Sequence, residues 1–279
     1  MRQSHYERLT IPLVALVCLL AVRPVAAQYA TDADADQVIR KYRLEPASDQ
    51  VAAWSRWARI SSESAPATFR DAVAGNFPAS WSARRNADTA LIKDVQTLLA
   101  PILTLYHQDY TLFIIETRVP AILIDSGSIL VISTGLLSRI QSDDELIGFA
   151  AHEIAHAFFS QRSVAAKELY ASLLSRRAQD SDGAQAALNA LARIELECDA
   201  VAARTLTVLR LNPREFIASV ERINIDFPDE TGKPTELGVN WHPMTRLRRK
   251  VVEALTDRDT LKHQPERSKL LQGIQGRLP

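Results

Sequence analysis

A chain of 279 residues that is 47% hydrophobic and 24% charged can bury one sizeable core, which excludes wholesale disorder. Lys plus Arg equals Asp plus Glu at 33 each, so no basic excess exists to neutralise a phosphate backbone and no nucleic-acid partner is expected. Two cysteines, Cys18 and Cys198, exclude a disulfide framework.

Residues 1–27 read as an export signal. Arg2 and Arg8 precede an apolar run over 11–22, and Val25-Ala26-Ala27 offers small residues where a signal peptidase cuts. That run is shorter than the roughly 20 residues a bilayer span needs, and an uncleaved membrane anchor is the alternative. Cleavage after Ala27 leaves a mature chain with Cys198 alone and no further run of bilayer length, hence no transmembrane span.

Residues 28–87 form a polar, Ala-rich N-terminal helical segment. Ser48 is placed to cap a helix over 49–60, with Val51, Trp54, Trp57 and Ala58 on one side. Trp54, Trp57 and Trp81 read as core or docking aromatics. The main domain is expected over 88–256. Leu91, Ile92, Val95, Leu98, Leu99 and Ile102 keep helical spacing up to about His107. Apolar runs over 110–117, 121–124 and 129–133 predict strands, with the turn signal Asp125-Ser126-Gly127-Ser128 between the last two. Ser142-Asp143-Asp144-Glu145 has the form of a capping box, opening a helix through at least Phe159. Further helices are expected over 169–177 and 184–210, from Asn212-Pro213, and from Pro243 to about Leu255, with a Pro-, Gly- and acid-rich loop over 226–240. A tail over 257–279 carries a weak helix near 266–271. The expected class is mainly α with a small antiparallel sheet (α+β).

His152-Glu153-Ile154-Ala155-His156 carries the chemistry. Four residues along a helix is one turn, so both imidazoles can reach one metal ion. Glu153, beside the first ligand, is placed to take the proton of an attacking water. Leu146, Ile147, Phe149, Ala150, Ile154, Ala155 and Phe158 make this helix apolar nearly all round, so it is buried, and polar groups buried there need a specific partner. Of the six histidines, His152, His156 and His242 fit one site, whereas His107 and His263 read as surface residues. A tetrahedral catalytic zinc, one per chain, needs a third protein ligand. In Glu195-Leu196-Glu197-Cys198-Asp199, a helix puts Glu195, Cys198 and Asp199 on one face and turns Glu197 away. Glu195 is the expected ligand, and Asp199 can orient a ligating histidine. Two alternatives stay open: Cys198 as the ligand, and Asp199 as a buried salt bridge.

Residues 127–137, Asp144-Glu145-Leu146, His152 to His156, Glu195 to Asp199 and His242-Pro243 together resemble the HtpX and CAAX-prenyl-protease family of zinc metallopeptidases, family forty-eight of that class. The resemblance covers about residues 88–256. It implies a gluzincin fold and endopeptidase activity, with the family's third ligand falling on Glu195 and its following aspartate on Asp199. The family's His-Pro motif, with an arginine six residues after the histidine, falls on His242 and Arg248. The polar character of 160–190 is similar to the soluble, exported branch, which implies a periplasmic location, a role in envelope protein quality control and envelope protein partners.

The expected activity is therefore a zinc endopeptidase acting on unfolded or extended polypeptide, with substrate added as a strand along the sheet edge, at Ile129 to Ser133. A periplasmic chaperone or assembly factor with little proteolysis is the alternative. His242 is expected either to occupy the open zinc position as a gate or, like Arg248, to hydrogen-bond the oxyanion of the transition state. The plain reading is a helix-start histidine and a surface cation.

Overall fold

Helical periodicity dominates this sequence over strand alternation, and the chain folds accordingly, as helices around three short strands. The computed structural model describes residues 30–61, 85–125, 129–159, 162, 165, 166, 181–226, 245–257 and 259–278. The export signal, Trp81, the helix expected over 169–177, most of the loop 226–240 and His242 lie outside the described residues.

Helix α1 (Asp32–Arg43) opens on a reciprocal cap: Asp34 N donates to Thr31 Oγ1 at 3.3 Å, and Thr31 N donates to the Asp34 carboxylate at 2.9 Å. It lies within the segment expected to be helical, with aspartate where that signal ordinarily has glutamate or glutamine. Helix α2 (Ala47–Ser61) starts directly after Pro46, whose carbonyl accepts from Asp49 N and Gln50 N, so Ser48 lies inside the first turn rather than capping it. Helix α3 (Thr89–Leu105) is capped by Asp88, which accepts from Ala90 N and Leu91 N, and it buries Leu91, Val95, Leu98, Leu99 and Ile102.

Strands β1 (Thr111–Ile115), β2 (Ile122–Asp125) and β3 (Ile129–Ser133) form one sheet in the order β1-β3-β2. β2 and β3 pair antiparallel, with Asp125 opposite Ile129 as the turn signal requires, but β1 and β3 run parallel. The sheet is therefore mixed, a correction to the antiparallel expectation. The reason lies in residues 116–121, which cross over the C-terminal end of β3. There Ala121 N donates to Ser133 Oγ at 2.8 Å, Ser133 N donates to Ala121 O at 2.9 Å, and the Thr134 hydroxyl both accepts from Thr117 N and donates to Thr117 O. Gly135 lies directly beneath: a Cβ there would stand 2.4 Å from the Arg118 carbonyl oxygen. The crossover puts β3 in the middle, paired on both sides, so Ile129 to Ser133 cannot accept a further strand. Among the described residues, β2 pairs only with β3, and it packs against the long helix that follows.

That helix is α5 (Asp143–Phe158), reached through the short α4 (Thr134–Leu137). Beyond it come α6 (Ser181–Val208), α7 (Pro213–Asp226), α8 (Thr245–Leu255) and α9 (Lys269–Gly276). α5 packs most extensively against α6, with α7 alongside α5, α8 bridging α1 and α6, and α9 on α3. One hydrophobic core takes Val38 and Tyr42 from α1, Ile114 and Ile132 from the sheet, Ile154 from α5, Val201 from α6 and Leu271 from α9. The opposite sheet face gathers Phe113, Ile115, Leu123, Ile129 and Val131 separately, with the Arg85 guanidinium 4.4 Å from the Phe113 ring centre. The fold is thus mainly helical with a small sheet, an α+β arrangement. Among the described residues no helix is long and apolar enough to cross a membrane.

Candidate metal centre

The first turn of α5 is held through three carboxylates at once. Ser142 Oγ accepts from Glu145 N at 3.4 Å, but the Glu145 carboxylate accepts from Gln141 N at 2.7 Å, one residue short of a full capping box. Asp143 Oδ1 accepts from Ser268 Oγ at 3.0 Å, Asp144 Oδ2 accepts from Asn212 N at 2.8 Å, and Glu145 Oε2 accepts from Arg222 Nη2 at 2.7 Å. Carboxylates suit a helix N-terminus, where the exposed N–H groups favour negative charge. Their effect is to anchor this helix against the tail and α7. His263, expected at the surface, lies 3.6 Å from Asp144 Oδ2.

Two turns further on, His152 and His156 face the same way, with ring centres 5.0 Å apart and planes inclined at 76°. Across from them α6 presents Glu195, Cys198 and Asp199 on one face, as the spacing predicts. The Glu195 oxygens stand 3.3 Å from His152 Nε2 and 3.4 Å from His156 Nε2. His152 Nδ1 donates to Asp199 Oδ1 at 2.9 Å. Asp199 has no solvent exposure, and Arg248 grips it with both arms, Nε on Oδ2 at 2.8 Å and Nη2 on Oδ1 at 2.7 Å. Glu197 turns away from the centre, as expected: Lys41 Nζ and Tyr42 OH donate to it at 2.5 and 3.0 Å, and Arg162 Nη2 at 2.9 Å. His152, His156 and Cys198 each offer a donor atom within 4.8 Å of the others, a possible metal-binding cluster.

Charge and burial define what this cluster needs. Burial disfavours a cation at His152, but hydrogen bonds with Asp199 and Glu195 outweigh it and push the imidazole up to about 9. Burial would also raise Asp199; the Arg248 guanidinium and His152 hold it below the usual carboxylate range instead. Burial, reinforced by Glu195, Asp199, Glu153 and Glu197, lifts the Cys198 thiol well above its ordinary value. With Nδ1–H committed to Asp199, His152 turns its Nε2 to the Glu195 carboxylate. Two electron-rich groups at that separation require a proton or a cation between them. A divalent ion fits this donor set of imidazole, carboxylate and thiol.

The structure brings His152, Glu153, His156, Glu195, Asp199 and Arg248 together, all buried except His156, which is partly exposed. Arg248, at 7% exposure, is no surface cation; two of its nitrogens are taken by Asp199. Sequence reading missed Phe216, whose ring centre is 6.0 Å from that of His152 and which meets Phe149 edge-on at 5.4 Å. It also missed the stack of Trp54 on Phe158 at 6.3 Å, which closes the end of α5. Neither pairing carries a local signal, because each joins residues from different helices. The sequence matches no protein-family model and no curated protein, so the meaning of the centre rests on its own chemistry.

Proposed function

We propose that this chain is a zinc-dependent metalloendopeptidase, with one zinc held by His152, His156 and Glu195. The observation that carries the reading is the pair of imidazoles on α5 facing the Glu195 carboxylate on α6, with Asp199 and Arg248 behind His152. Bound there, zinc supplies a Lewis acid for the scissile carbonyl and for water. Glu153, one residue after the first ligand and buried with it, takes the proton of the attacking water and returns it to the leaving amine. Asp199 fixes the His152 tautomer by accepting from Nδ1–H, leaving Nε2 for the ion. Arg248 holds Asp199 in that orientation.

The edge strand β2, which packs on α5, is the place for an extended substrate segment, in place of the central β3. Main-chain pairing of that kind favours unfolded polypeptide over a defined small molecule. Export after cleavage behind Ala27, a periplasmic location and a role in envelope protein quality control follow from the leader-like residues 1–27 and from the family resemblance. The test compares zinc content and casein cleavage in the wild type and in Glu153→Gln. The variant is expected to keep its zinc and lose hydrolysis, because the base is removed and the coordinating atoms stay. Cleavage at the wild-type rate would sink the mechanism.

A further inference from the structure

We infer that Cys198 gives the centre a second, thiophilic mode of coordination, in which a soft divalent ion is held by His152, His156 and Cys198, without Glu195. The inference rests on the reading of this region as a metal centre and deepens it. Cys198 lies three residues after Glu195 on the same face of α6, fully buried and in no disulfide. Its sulfur and one nitrogen of each imidazole lie within 4.8 Å of one another, so two borderline nitrogen donors and one soft sulfur donor are already assembled. A hard carboxylate and a soft sulfur donor one turn apart, facing the same imidazoles, make a site whose third donor depends on the ion. Zinc would be held by the Glu195 carboxylate with the two imidazoles. Cadmium takes the sulfur, and the thiol proton is released to solvent as the Cd–S bond forms. The neighbouring Asp199, locked by Arg248 on the next residue of the helix, keeps this turn of α6 in register with His152 in both modes.

Cadmium titration of the full chain carrying Cys18→Ser, so that only one thiol can respond, tests this. The expected result is an ultraviolet thiolate-to-cadmium band that saturates with one ion per chain and is absent when Cys198→Ser is added. Cadmium affinity should fall about tenfold or more in Cys198→Ser, with zinc affinity changed by less than about twofold. Cys198→Ala, checked for native circular dichroism, guards against a serine hydroxyl that disturbs packing, and the same loss of the band is expected. One-to-one cadmium binding with no sulfur band overturns the second mode and leaves the zinc centre standing. Failure of both ions to bind overturns the two readings together.

Discussion

Arg248 reaches the imidazole only through Asp199, and its two-armed grip explains why an arginine stands there. A guanidinium fork satisfies both carboxylate oxygens and leaves Oδ1 shared with His152, which fixes the angle of the ring. Lysine would supply a point charge without that geometry. Arg248→Lys is therefore expected to weaken zinc binding about 10- to 100-fold, measured by competition with a chelator on the folded protein. If Arg248 served packing alone, the melting temperature would fall while zinc affinity of the folded protein stayed put. At this scale the shared face of the candidate ligand residues was legible, because positions three and four apart share a helix face wherever the helix sits. The partner of Arg248 was not, because it depends on where α8 crosses α6.

Among elements, the contact between α5 and α7 sets the position of the histidines. Gly148 lies one turn before His152, and a Cβ on it would stand 2.5 Å from Phe216 Cβ and 2.8 Å from its Cγ. The two helices approach this closely only because glycine has no side chain. Gly148→Ala should drive them apart and destabilise the fold by about 1–3 kcal/mol, read from urea unfolding. Shortening the neighbour to Phe216→Leu should not rescue it, since the clashing Cβ remains. An unchanged midpoint for Gly148→Ala would remove the argument that this contact places His152. Gly135 records the same principle at the sheet, where the crossover of 116–121 passes over it. Neither glycine announces its purpose in the sequence, because the atoms it must avoid come from a different element.

For the molecule as a whole, the anchored start of α5 makes stability depend on pH. Burial pushes Glu145 above the ordinary carboxylate range, with Gln141 N and Arg222 opposing it without cancelling the effect. Asp144 is raised for the same first cause, burial, against the hydrogen bond from Asn212 N. A carboxyl whose folded value is raised binds its proton more tightly in the native state than in the unfolded one, so stability falls as pH rises through that interval. Glu145→Gln keeps a carbonyl acceptor and removes the titration. It is expected to flatten the decline in unfolding free energy above the ordinary carboxylate range, measured by urea unfolding at several pH values. A slope identical to wild type would show that Glu145 does not titrate there.

The sequence by itself determined the helical class, the hairpin of β2 and β3, and the candidate ligands on α5 and α6, since these follow from periodicity and turn chemistry within one segment. Only the tertiary structure decided the parallel pairing of β1 with β3, because a meander and a crossover share the same order of strands along the chain. It also decided that Arg248 serves Asp199, that Phe216 wedges beneath Gly148, and that both a carboxylate and a thiol stand before the imidazoles. Those are relations between elements far apart in the chain, and close packing, which no single segment encodes, brings them together.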